Sequence, residues 1–178
     1  MEELKVLFEI IDEVEFRNKV DIQFDNILEG FNKYCNGALQ SKAGLKKEAV
    51  EEKLLSFFEK VLELNGEENS FVDFYYQRLS DEDKNRLKEF LTAEDGEVLK
   101  LAEAELKGNG VYFRLSKEIM PFILRLSTRE VLFSTFYFTK VPCTIWGNYN
   151  MKFPCFFKNH ENMKLYKEIV ELVELEIE

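Results

Sequence analysis

The chain changes texture after Gly110, and no other feature constrains its fold as strongly. Up to Leu106, apolar residues recur every three or four positions, the spacing of one helix face. Beyond Gly110, β-branched and aromatic residues crowd into short runs, which favours strands. The expected fold is α+β. About five helices occupy residues 1–108. A small, mainly antiparallel sheet with a hairpin follows over 109–160, and a C-terminal helix closes the chain over 161–178. With 178 residues the chain is read as a single domain, 1–178, able to bury roughly 70% of its extended surface.

The helical stripes are explicit. Leu4, Leu7, Phe8, Ile11 and Val14 share one face, and Val20, Phe24, Ile27, Leu28, Phe31 and Cys35 form a second. Residues 37–46 read as a small polar connection. A third helix carries Val50, Leu54, Phe57, Phe58, Val61 and Leu62 and ends at Asn65-Gly66. Phe71, Phe74 and Tyr75 suggest a short helix. Ser80 and Thr92 are N-caps followed by acids in the first turn, where the helix dipole favours negative charge. The last helix carries Met163, Tyr166, Ile169, Val170 and Val173.

In the second half, Val111–Leu115 reads as a strand. Pro121 would sit too deep in a helix capped by Ser116. Ser127-Thr-Arg-Glu130 fits a capping box, so a short helix is expected, giving way to a strand near Phe136–Thr139. Thr144–Trp146 and Met151–Phe157 flank Gly147–Asn150 as a hairpin. Pro142 and Pro154 lack a donor, which predicts that at least one of these strands is an edge.

The first residues, Met1–Lys5, show no leader pattern. The longest uninterrupted apolar run, Ile119–Leu124, contains Pro121 and is far too short to span a bilayer. A cytoplasmic protein with reduced thiols at Cys35, Cys143 and Cys155 is expected. The net charge of −10 disfavours nucleic acid, which needs Lys and Arg on its phosphates, and suits a protein partner with a basic surface.

That charge is unevenly spread. Residues 1–30 carry −6, 66–110 carry −6 and 161–178 carry −4, whereas 111–160 carry +5 and hold 12 of the 25 aromatics. Aromatic residues are core by default. An exposed Trp146 or Tyr149 at the hairpin would instead belong to the residue types enriched at binding hot spots.

Catalytic signatures are missing. The sequence has no phosphate loop, no nucleophile elbow and no zinc-protease motif. Glu118 and Glu130, the two acids of the aromatic segment, are the best general acid–base candidates, although Glu130 is also explained as a capping partner. Arg114, Arg125 and Arg129 could clamp a phosphate or carboxylate. Cys143 and Cys155 lie directly opposite one another if the hairpin centres on Tyr149, which would permit a thiol pair; a one-residue shift would put Pro154 opposite Cys143. Cys143, Cys155 and His160 offer only three metal ligands, at a spacing that matches no closed zinc site. No catalytic residue, cofactor or metal is expected. The leading expectation is a non-enzymatic binding or regulatory protein. It would contact a protein partner through the aromatic hairpin or an acidic helix face. The alternative is a small anionic ligand-binding protein or enzyme with an aromatic pocket and an arginine clamp.

Overall fold

The structure is a computed structural model and describes residues 6–178. Its helices are α1 (Glu13–Lys19), α2 (Ile27–Lys33), α3 (Lys47–Asn65), α4 (Asp81–Lys88), α5 (Ala93–Glu105), α6 (Met120–Thr128) and α7 (His160–Leu172). Its strands are β1 (Cys35–Ser41), β2 (Ser70–Asp73), β3 (Tyr112–Arg114), β4 (Thr135–Phe138), β5 (Cys143–Trp146), β6 (Phe153–Phe157) and β7 (Leu175–Ile177). All seven strands pair antiparallel in one sheet, ordered β3-β2-β4-β5-β6-β1-β7.

This sheet overturns the expected helical part followed by a sheet. β1 comes from residues read as a connection and lies between β6 and β7, and β2 comes from residues read as a short helix and lies between β3 and β4. The physical reasons differ. Leu39 is the only fully buried residue of β1, so the strand shows no apolar alternation. All four residues of β2 are buried, and a short continuous apolar run suits a buried strand and a helix turn equally.

The first two stripes are also corrected. Leu4 lies outside the described residues. Glu9–Ile11 is extended along the outer edge of β3: the Arg114 N–H donates to the Glu9 carbonyl at 3.0 Å and the Ile11 N–H to the Tyr112 carbonyl at 2.9 Å. The helix begins only after Asp12, whose side chain accepts from the N–H groups of Val14 and Glu15. The second stripe becomes helical only after Asn26, which caps α2 by accepting from the Glu29 N–H. Between these helices, residues 20–26 cross the sheet.

Elsewhere the local rules hold. Ser80, Thr92 and Asn159 cap α4, α5 and α7, and α3 stops at Gly66, whose φ of 80° favours glycine. α6 begins at Met120, so Pro121 sits in the first turn, where its missing N–H forfeits no helix bond. The capping box is overturned. Ser127 lies in the last turn of α6 and accepts from the Ser134 N–H at 3.1 Å, and Glu130 turns the chain at φ 58°.

Neither hairpin strand is an edge, since β5 lies between β4 and β6 and β6 lies between β5 and β1. Pro154 is tolerated for a geometric reason. Its partner Ala38 exchanges both backbone bonds with Glu178, so this antiparallel pair is of the non-hydrogen-bonded kind. The Pro154 nitrogen therefore faces β5, whose ladder with β6 has already ended at Ile145–Cys155.

Two layers cover the sheet. On one face α3, α6 and α7 close the main core, with Phe58 against Phe136 at 4.5 Å between ring centres and Tyr166 against Phe157 at 5.3 Å. The buried Tyr166 hydroxyl donates to the Val141 carbonyl and accepts from Asn65, whose own carbonyl accepts from the Val141 N–H. On the other face lie α1, the crossing segment and α2, a thinner cover that leaves room for a cleft.

Candidate functional site

The cleft face can be read off the strand register, because side chains two apart share a face. One cross-strand row runs Tyr112, Asp73, Thr135, Trp146 over β3, β2, β4 and β5, and the next row runs Phe71, Tyr137, Thr144, Phe156 over β2, β4, β5 and β6. Over these rows lies the segment between α1 and α2. It is tied down by the buried Thr144 hydroxyl, which donates to the Ile22 carbonyl at 3.0 Å, and by the Gln23 side-chain amide, which donates to the Arg17 carbonyl at 2.9 Å.

The result is a cleft of about 250 Å³, lined by Phe16, Arg17, Ile22–Asp25, Glu29, Tyr112, Tyr137, Thr144 and Trp146. Its walls are aromatic. Phe24 packs on Trp146 at 5.4 Å and on Phe156 at 4.7 Å, which forms one wall. Phe16 stacks on Tyr112 at 3.8 Å and meets Tyr137 edge-on at 4.8 Å, which forms the other. Gly30 lets α2 settle on the first wall, because a Cβ there would come within 2.7 Å of the Phe24 ring and 2.9 Å of the Phe156 ring.

The polar groups of the cleft are unbalanced in sign. Arg17 is neutralised within α1 by Glu13, with N···O distances of 3.0 and 2.9 Å. Asp25 and Glu29 remain at the rim. Asp73, which does not border the cleft itself, lies in the strand row between Tyr112 and Thr135 and is only 5% exposed. Its carboxylate accepts from the Thr135 N–H at 2.7 Å and the Tyr137 hydroxyl at 3.2 Å. Burial pushes the Asp73 carboxyl up to about 6, against the partial pull of those donors. Burial also raises Tyr75, Tyr112 and Tyr137, and the Asp73 charge adds to each.

Of the residues singled out in the sequence, this cleft contains Trp146 alone. Tyr149 is 61% exposed and lies apart, edge-on to Phe133 at 4.8 Å. The three arginines do not converge on one ligand position. Arg114 lies on β3 and donates to the Glu9 carboxylate at 2.9 Å and the Glu68 carbonyl at 3.0 Å. Arg125 and Arg129 sit at the end of α6, the first on Asp95 at 2.8 Å and the second on Glu51 at 2.9 Å. Lys158 pairs with Asp21 at 3.0 Å. Four of the seven basic residues of 111–160 thus pair with acids from residues 1–100.

Arg129 and Glu130 border a second concavity of about 470 Å³, between the start of α3, the end of α6 and the turn at 149–151. Its Glu51 is held below the usual carboxylate range by hydrogen bonds from Arg129 and Thr128, although burial opposes them. Glu130 accepts from the Asn150 N–H at 2.8 Å, which joins the two turns.

Cys143 and Cys155 are both buried, on the core face, and are not directly opposed. Cys143 pairs with Phe157, and Cys155 pairs with Ile145. Burial pushes the Cys155 thiol up to about 12 and raises Cys143 as well. A thiolate is the reactive form, so both should be inert. Treating the native protein with iodoacetamide should therefore label at most Cys35, which is half-buried, and unfolding in urea should release the other two. Rapid native labelling at Cys143 or Cys155, read by peptide mass spectrometry, would contradict this burial. His160 opens α7 and is exposed. Among the described residues no group of three His, Cys, Asp or Glu side chains could hold a metal ion, and no helix is long and apolar enough to cross a membrane.

The residues that matter most were not singled out from sequence. Asp73 lies within Phe71-Val-Asp-Phe-Tyr-Tyr76, the kind of apolar neighbourhood that marks a carboxyl for burial. Phe24, Tyr112 and Tyr137 have no comparable signal, since only the strand register brings them together. Compared with known proteins, the chain matches no family model, no curated protein sequence and no solved structure.

Proposed function

We propose that the chain is a cytoplasmic, non-enzymatic binding protein that holds a partner with a basic surface, by taking a lysine or arginine side chain between the aromatic walls of this cleft. The observation that carries the reading is the pairing of those walls, Phe24–Trp146 and Phe16–Tyr112–Tyr137, with Asp25 and Glu29 at the rim. The face of an aromatic ring attracts a cation, at about 0.5–1 kcal/mol when exposed and about 2 or more when desolvated. Carboxylates at the mouth would supply the steering charge. The same groups disfavour an anionic ligand here, and the arginines that could have received one are already paired.

Trp146 is the single tryptophan, so its fluorescence reports directly on the cleft. Titration with a trilysine or triarginine peptide should change that emission saturably, more weakly at high salt, and triglutamate should leave it unchanged. Phe24→Ala removes one wall and keeps the reporter. A loss of about 1 kcal/mol of cation–π and contact energy should weaken binding by roughly fivefold. Emission that does not respond to either basic peptide would refute the proposal.

A further inference from the structure

The cleft's aromatic walls stand at the two ends of a cross-strand row, Tyr112 and Trp146, and Asp73 and Thr135 occupy the places between them. Asp73 does not itself border the cleft but touches two residues that do: Tyr112 is directly opposite it on β3, and the Tyr137 hydroxyl is bound to its carboxylate. Its hydrogen-bond donors, from Thr135 and the Tyr137 hydroxyl, are all neutral, whereas the comparably buried Asp95 has Arg125. We propose that Asp73, together with Tyr137, is the counter-charge for the cation bound in this cleft, so that capture of the partner strengthens when Asp73 ionises. The inference rests on the cation-binding reading above.

The physical argument is a thermodynamic cycle. A buried carboxylate without a cationic partner is costly, and a cation arriving over Tyr112 and Tyr137 would relieve that cost. By linkage, a ligand that binds the ionised form better must also favour ionisation. The groups around Asp73 are Thr135, Tyr137, Tyr112 and Tyr75, with Arg17, Arg78 and Glu13 farther out. Asp25 and Glu29 border the cleft itself. Because burial holds the free Asp73 carboxyl near 6, its switch falls close to neutrality.

The test uses the full chain and N-acetylated trilysine peptide, whose side-chain ammonium groups stay charged from about pH 5 to 7.5. At constant ionic strength, the wild-type dissociation constant should be about tenfold weaker at the lower pH, the scale expected for one partly screened charge several ångströms away. Asp73→Asn should bind at both pH values with about the wild type's low-pH affinity. Independently of any variant, the Asp73 carboxyl carbon followed by NMR should titrate at lower pH when trilysine is bound. Binding that is saturable but equally tight at both pH values, a full pH dependence retained in Asp73→Asn, or an Asp73 titration unmoved by peptide would each overturn this inference while leaving the cation reading intact. A complete lack of binding at both pH values would overturn both.

Discussion

Replacing Asp95 with alanine is expected to cost about 3–5 kcal/mol of stability, because it strands a guanidinium that the fold has taken out of water. Asp95 is 1% exposed. It receives two hydrogen bonds from Arg125, from Nε and from a terminal guanidinium nitrogen, a fork-on-carboxylate geometry. The pair joins α5 to α6 and so locks two elements that the chain order separates by β3. Urea unfolding checks the cost. The double replacement Asp95→Leu with Arg125→Met should recover most of the loss, since an apolar pair of similar volume often substitutes for a buried ion pair. A single variant that loses less than about 1 kcal/mol would mean that the pair behaves as a surface bridge.

Asp73→Asn should do the opposite and stabilise the protein, by an amount that depends on pH. Asp73 is nearly as buried as Asp95, but its hydrogen bonds come from a backbone N–H and a hydroxyl rather than a guanidinium. Its carboxyl is raised from an ordinary 3.8 to about 6, with burial as the leading cause. The sign follows from proton binding. Between these values the folded form holds more protons than the unfolded form, so stability falls as pH rises. Below about pH 3 both forms are protonated and little is lost, and above about pH 7 the loss is complete, about 3 kcal/mol for a rise from 3.8 to about 6. Asparagine has no such loss. The difference between variant and wild type should therefore grow by about 2.5 kcal/mol from about pH 4 to about pH 7.5, while contributions from other carboxylates cancel between the two proteins. Urea unfolding at each pH measures it, and a difference that stays flat across this range would show that Asp73 titrates near its ordinary value. A stabilising change at a residue hydrogen-bonded to the cleft lining is the pattern expected where a site keeps an unfavourable group for function.

These two aspartates also show how far the sequence alone could go. Both were legible as acids, one in a capped first turn and one in an apolar run. Their opposite energetics depend on Arg125, thirty residues from Asp95, and on the neutral donors that Asp73 meets instead.

The sequence by itself determined what depends on neighbours within a turn or two. The caps at Ser80 and Thr92, the stop at Gly66, and the apolar faces of α3 and α7 all follow from local spacing and local hydrogen bonds. The tertiary structure alone decided that β1 and β2 enter the sheet, that the hairpin slips so that Cys143 and Cys155 do not face each other, and that the three arginines of the basic segment pair with acids far away in sequence. The reason is that strand pairing and register are long-range choices. A strand buried on both faces lacks the alternation that would identify it, and a slip of one residue exchanges the two faces of a strand. The cleft belongs to this second category, because Phe24, Tyr112, Tyr137 and Trp146 meet only once four separate segments have been laid across one sheet.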